Sequence, residues 1–550
     1  MRLLALLPAA LALTLPAPAL GDWPIYGHDL ANTRNAGADG PAAADVGSLK
    51  QAWAFNSETG DFTGTPAVAA GVLVAGDHGG HVYALDAVTG KVLWSKDAGA
   101  PINGSAAIDL QAPAGATAYV PVAERSGPRL VAYSLRDGAK RWDAVLTSQA
   151  DSSVYGSPVF WNGAVYIGTS GPNNDDSHAR GSVVALDEAT GTKRWQTFTV
   201  PPGHDGAAVW TTPAIDTATG RLYVGTGNNY HEPTTDTEDA ILALDASSGA
   251  ILGKYQATAD DSFSTDNLTS GPDHDFGASP NLFDGPSGEK LVGEGQKSGV
   301  YSALDRATMA LVWHTTVGPG GYLGGLLGSS AFDGERIFAT DTVDGQVSAL
   351  GRDGKIAWQS ADSEGAHLSP VAVAHGVVYS VDQSGSLVAR DPRTGAVLAK
   401  LSLGGASFGG VSADGGAIYV SVGTGPLPEP APQNDNPGSI VAFGDTSRSG
   451  GPAAPGRPGT PARRRGRRIR LAVAPKRVRA LRATRVRFRA RVGSRPLARV
   501  TIRVAGRVVR TNGRGRARLL MRVHRTGRYV LRANRRGFRG ARTHIRVVAR

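Results

Sequence analysis

No cysteine occurs among the 550 residues. That absence excludes disulfides, thiolate metal sites, covalent CxxCH haem attachment and a lipidated N-terminal cysteine. Stability must therefore come from packing and hydrogen bonds. Long apolar runs are also scarce. The only one is "MRLLALLPAALALTLPAPALG" at residues 1–21, which has Arg2 at its start, a short apolar stretch and the small-residue end Ala19-Leu20-Gly21. This pattern predicts a cleaved signal peptide, export, and no transmembrane segment in the mature chain.

Acidic residues are missing from one end. Residues 451–550 hold 33 Lys and Arg but no Asp or Glu, leaving 25 basic and 47 acidic residues in the first 450. Such asymmetry marks two modules with different surfaces. Stacking aromatics are also rare in the basic part, which has only Phe488, Tyr529 and Phe538. A base-reading nucleic-acid module is therefore not expected.

One phrase recurs through the acidic part: small apolar residues, Leu-Asp, a Gly-containing turn, then a strand ending in Trp. Examples are "VYALDAVTGKVLW", "VVALDEATGTKRW" and "YSALDRATMALVW". Eight copies follow at propeller-like spacing. Each copy is a hairpin, and the Gly-rich phrases between copies, such as "GSPVFWNGAVYIGT", supply a second hairpin. Two hairpins make a four-stranded blade, and eight blades close around a channel. The fold class is all-β: an eight-bladed β-propeller over 22–445, a Pro/Gly/Arg-rich linker over 446–468, and a small β-sandwich over 469–550. Trp94, Trp142, Trp195, Trp313 and Trp358 share one register and are expected to anchor blade to blade. "DWPIYGHDLANTRN" (Asp22–Asn35) is expected to close the ring against the last blade.

"GPDHDFGASPNLF" (Gly271–Phe283) puts Asp273, His274 and Asp275 before a small-residue run. Together with "WPIYGHDLANTRN", "GAAVWTTPAID", "YVGTGNNY" and "GQKSGVYSALD", it resembles the quinoprotein dehydrogenases, in particular the polyvinyl-alcohol dehydrogenase-like group. The resemblance covers roughly residues 22–445. It implies a pyrroloquinoline quinone (PQQ) cofactor, Ca²⁺, and oxidation of an alcohol or polymeric hydroxyl substrate. By position, Asp275 matches the catalytic base and also lies beside the metal. Asn228 matches a Ca²⁺ ligand, Trp210 the ring beneath the quinone, and Lys297 a cation at the quinone edge. Asp176, with Asp175 beside it, stands at the offset of a further calcium carboxylate, where relatives carry Glu. The vicinal Cys pair and c-type haem of many relatives are precluded, so electrons must pass to a separate acceptor. The alternative is a PQQ-repeat propeller that has lost the quinone and serves as a scaffold.

In the basic part, apolar residues alternate with Arg in "VRFRARV" and "VTIRVAGRVVR". This pattern looks like bacterial immunoglobulin-like modules. An exported Arg-rich surface is expected to meet an anionic cell-envelope polymer, with nucleic acid no physiological partner.

Overall fold

The computed structural model describes residues 22–448 and 470–550. Excepted are 173–176, 265–266, 268, 323, 362–365, 426–437, 480–483, 493–494, 499, 505–506, 515, 522–526, 535–540 and 549–550. The expected signal peptide and most of the expected linker lie outside the described residues, as do Asp175 and Asp176. Two compact units result, Met1–Ala453 and Ala454–Arg550.

The first unit is eight four-stranded antiparallel sheets. Each follows the phrase read from the sequence. In blade one, Ala67–Ala69 is the inner strand, followed by Val72–Gly76, His81–Asp86 and the outer Val92–Asp97. The middle strands are buried on both faces because neighbouring blades cover them, whereas the outer strand alternates exposed and covered.

The ring is closed differently from expectation. Gln51–Asn56 pairs antiparallel with Ser439–Asp445, completing blade eight. Asp22–Asn35 instead crosses the inner strands at one end of the channel. Ile108 N–H donates to Pro24 O, Ile215 to Leu30, Leu282 to Ala31, Phe332 to Thr33 and Val373 to Arg34, all at 2.7–2.9 Å. Arg34 is fully buried, its guanidinium bonding the Val371 and Tyr26 carbonyls. Asn32 Nδ2 donates to the carbonyls of Thr212, Pro213 and Pro280. Trp23 and Val68 of blade one exchange both backbone bonds at 2.7 and 2.9 Å, so the segment is a plug whose backbone polarity is satisfied by six blades.

The tryptophans anchor each blade to the next. Trp94 Nε1 donates to Leu135 O at 2.9 Å, Trp142 to Glu188 O, Trp195 to Ala246 O, Trp313 to Arg352 O and Trp358 to Pro392 O. Trp53 on the closing strand does the same to Ala87 O. Each ring lies on a turn glycine of the following blade; a Cβ on Gly138 would sit 2.8 Å from the Trp94 ring. Between blades four and five the two partners change together. Gly253 takes the tryptophan position and Met309, at φ 60°, takes the glycine position. Met309 fills the space that the missing indole leaves above Gly253. Gly253→Trp alone is expected to overpack against Met309 and cost about 1–3 kcal/mol. Adding Met309→Gly should recover most of that loss, a coupling that a denaturant-unfolding mutant cycle reads directly.

Blades two and three share a buried carboxyl pair. Glu188 is 7% exposed and accepts from Tyr119 Oη at 2.9 Å. Burial, reinforced by Asp109, pushes its pKa up to about 7. A raised carboxyl pKa stabilises the fold below the ordinary value near 4.5, and this contribution is lost as pH rises through 7. Thermal stability is therefore expected to fall between about pH 4.5 and 7, by up to about 3 kcal/mol from this group. Glu188→Gln should flatten that slope; an unchanged slope would contradict the assignment.

The second unit is two sheets. One orders Arg470–Ala474, Thr484–Val492 and Arg495–Pro496, with Arg516–Met521 also pairing Thr484–Val492. The other has five strands, in which Arg477–Arg479 runs parallel to Ala541–Val548. Val473, Val486, Phe488 and Ala490 of the first sheet share a core with Ile545 and Val547 of the second. Arg485, Arg487, Arg489 and Arg491 alternate outward along one strand. No helix among the described residues is long and apolar enough to cross a membrane.

Candidate functional site

The candidate site is built from loops that lead into the inner strands and out of the second strands of blades four and five. Trp210 precedes the inner strand of blade four, Asn228 follows the second strand, and Asp275 lies in the connection to blade five. Lys297 is in the turn of blade five between Lys290–Gly295 and Val300–Asp305. Four expected site residues therefore come from four separate segments and meet. Asp176, the fifth, is outside the described residues.

Asp275 organises the group. Its Oδ1 accepts the Asn228 backbone N–H at 2.8 Å, and its Oδ2 pairs with Lys297 Nζ at 2.6 Å. Lys297 Nζ also pairs with Asp273 Oδ1 at 2.8 Å, and its own N–H donates to Asp275 O at 3.0 Å. The lysine side chain is only 11% exposed. Burial alone would lower its pKa, but the charges of Asp275 and Asp273 outweigh burial and raise it, so Lys297 stays a cation. Its ammonium lies 6.0 Å from the Trp210 ring centroid.

Two glycines make room. A Cβ on Gly277 would collide with the Trp210 six-membered ring, and one on Gly227 would collide with the Asp275 carboxylate. Close backbone approach thus leaves the indole seated between the Asp275 loop and the Gly227 strand.

Asn228 offers one kind of atom. Its Nδ2 donates to Asn229 O at 2.7 Å and Phe263 O at 2.8 Å, which fixes the amide and assigns Oδ1 as its free donor atom. Oxygen is what Ca²⁺ takes. Close by stands Asp239, fully buried, its N–H donating to Gly227 O at 3.0 Å, its side-chain oxygens with no N–H or hydroxyl donor and only the Asp261 carboxyl beside them. Burial, with the nearby charges of Asp275 and Asp261, pushes it well above the ordinary carboxyl range. A cation among these oxygens would relieve that penalty, so the donor set fits a hard divalent ion.

Asp239 and Asp261 were not legible as site residues. Asp239 has left-handed backbone at φ 42°, as does Asp273 at φ 58°, and conformations of that kind cluster at functional sites. Asp261 is fully buried and accepts the N–H groups of Phe263 and His274. No motif spacing links Asp239 or Asp261 to Asp275.

A cleft of about 440 Å³ opens at the plug end, lined by Ile215, Asp216, Leu282, Arg306, Phe332 and Arg352 among others. Its Arg306 is already paired with Asp216 and Asp284, so it lacks the convergent chemistry of the Asp275 group.

The architecture is that of an eight-bladed repeat propeller with a charged site at one mouth. A PQQ-repeat family model, described as outer membrane protein assembly factor BamB, matches residues 42–239 and 179–425. The chain belongs to this PQQ-repeat family, and its relatives include quinoprotein alcohol dehydrogenases. It is 29% identical over 455 residues to a polyvinylalcohol dehydrogenase of Sphingopyxis sp. (strain 113P3), covering 69% of each chain. It is 30% identical over 450 residues to a polyvinylalcohol dehydrogenase of Pseudomonas sp, covering 72% of this chain and 70% of that one. Among solved structures, the quinohemoprotein alcohol dehydrogenase of Comamonas testosteroni shares the fold at TM-score 0.64 and 22% identity, over 80% of this chain and 82% of that one.

Proposed function

We propose that this chain is an exported quinoprotein-type oxidoreductase. It oxidises an alcohol group with PQQ and Ca²⁺ and passes electrons to an external acceptor. The observation that carries the reading is the meeting of Asp275, Asn228, Lys297 and Trp210 at one mouth. The relatives named above, both polyvinylalcohol dehydrogenases, support a substrate hydroxyl on a small or polymeric alcohol.

Bound PQQ would supply the two-electron acceptor. Trp210 offers a flat face for it, and Lys297 a cation at its edge. Asn228 Oδ1 and Asp275 offer oxygens to Ca²⁺, with Asp176 as a further carboxylate. Asp275 takes the substrate hydroxyl proton as the carbinol carbon gives up its hydride. Lys297 and the Asn228 N–H hold the carboxylate in place. Phe263 stacks on the exposed ring of Tyr322 with centroids 5.9 Å apart, giving an apolar wall beside Asn228.

The basic unit is proposed to hold the enzyme near an anionic cell-envelope polymer. Arg487 lies opposite Arg518, Arg489 opposite Arg516 and Arg491 opposite Arg470. Facing like charges repel, and a polyanion would relieve that repulsion.

The test is alcohol oxidation by protein loaded with PQQ and Ca²⁺, read with an artificial electron acceptor. Activity that requires both additions supports the proposal. A folded protein that is inactive across small and polymeric alcohols would instead favour a propeller scaffold, a reading consistent with the BamB description of the matching family model.

A further inference from the structure

A second constellation stands on the rim of blades three and four. Three loops bring it together. His178 precedes Ser182–Asp187 of blade three, Asp205 lies in the connection to blade four, and His231 precedes Ala240–Asp245 of blade four. His178 Nδ1 and His231 Nδ1 both lie 2.8 Å from the same atom, Asp205 Oδ2. The two imidazoles stack with centroids 4.5 Å apart. One ligand atom from each residue falls within 4.8 Å of the others.

The carboxylate is held in place before any ion arrives. Asp205 is 6% exposed, and its Oδ1 accepts the His231 backbone N–H at 3.1 Å. Its carbonyl accepts the Asn229 amide. Oδ2 is therefore the oxygen turned to both rings. The His178 and His231 side chains are 78% and 44% exposed, so an ion with its water can reach them.

We infer that His178, Asp205 and His231 form a binding site for a borderline divalent transition ion such as Zn²⁺. Two imidazoles and one carboxylate are the donor set that such ions prefer over Ca²⁺. In a shared coordination shell with bonds of about 2.0–2.2 Å, neighbouring ligand atoms lie roughly 3–3.5 Å apart, so the 2.8 Å separations need only a slight opening. To ligate through Nδ1, each neutral ring carries its proton on Nε2, and water completes the shell. The ion would staple three rim loops, one of which carries Asn228; Asn228 O already accepts the Ala207 N–H at 2.7 Å. No part of this inference depends on quinone binding.

The experiment uses full-length protein, stripped with chelator and then saturated with Ca²⁺ to occupy oxygen-only sites. ZnCl₂ is titrated by calorimetry, with thermal unfolding as a second readout. One equivalent of Zn²⁺ should bind and raise the melting temperature. The double variant His178→Ala, His231→Ala should lose at least roughly 100-fold in affinity, more than the loss of an outer-shell partner causes. It should also lose the thermal shift. Removing both rings leaves the buried Asp205 Oδ2 without its partners, so the variant's metal-free melting temperature should fall modestly, and its Zn²⁺ shift is read against that value. His204→Ala, a neighbouring histidine whose Nδ1 bonds Pro233 O, should bind Zn²⁺ as the parent does. Absence of binding at free Zn²⁺ of roughly 100 μM, or equal binding by the double variant, would overturn the site.

Discussion

Asp275→Asn is expected to lower PQQ-dependent alcohol oxidation by roughly 100- to 10,000-fold, the usual contribution of a positioned general base. The substitution keeps volume and shape. Oδ1 can still accept the Asn228 N–H, now 2.8 Å away, but the amide that replaces Oδ2 meets the Lys297 ammonium donor to donor, so Lys297 keeps Asp273 alone and some stability is lost with the charge. What is lost is the negative charge that faces Lys297 and accepts the hydroxyl proton. The defect should therefore appear in kcat, with quinone binding reduced far less. A folded Asp275→Asn protein of near-parental turnover would remove Asp275 from the chemistry.

Lys297→Met carries the second large effect, and it falls on stability as well as activity. The ammonium is almost wholly buried between two carboxylates, at 2.6 Å from Asp275 and 2.8 Å from Asp273. Removing it leaves two close negative charges without a counter-ion, and breaking a buried pair of this kind costs about 3–5 kcal/mol. Asp273→Asn should cost much less, because Lys297 keeps Asp275 as its partner. The order matters more than either value. Denaturant unfolding should rank Lys297→Met well below Asp273→Asn. Added Ca²⁺ should recover part of the loss if it sits among the same carboxylates. Equal destabilisation by the two variants would mean that the lysine is an ordinary surface cation.

The repeat was legible because each blade must solve the same problem. Its Asp-x-x-Thr-Gly turns and its tryptophans are local, and they recur because every blade docks on the next in one way. The closing strand was missed although Trp53 carries the docking register, because Gln51–Asn56 lacks the rest of the phrase and finds its partners nearly 400 residues later. Asp22–Asn35 was read as the closure because it precedes the first repeat. Its actual partners are backbone carbonyls and N–H groups of six blades, which no side-chain pattern encodes. At the site, Asp275, Asn228, Trp210 and Lys297 stand in short motifs that could be matched one by one. Asp239 ends an unremarkable "TTDTED" run, and its role follows only from burial and from φ 42°, both products of the closed ring. The His178–Asp205–His231 group is also dispersed over three loops, and no spacing rule joins them.

The most direct measurement of the central claim is binding of PQQ to the purified protein by equilibrium dialysis, with and without Ca²⁺, beside Asn228→Ala and Trp210→Ala. The account predicts near-stoichiometric, calcium-dependent binding that both variants lose: the first because its oxygen donor is gone, the second because the stacking face is gone. No binding by folded protein at saturating PQQ and Ca²⁺ would contradict it.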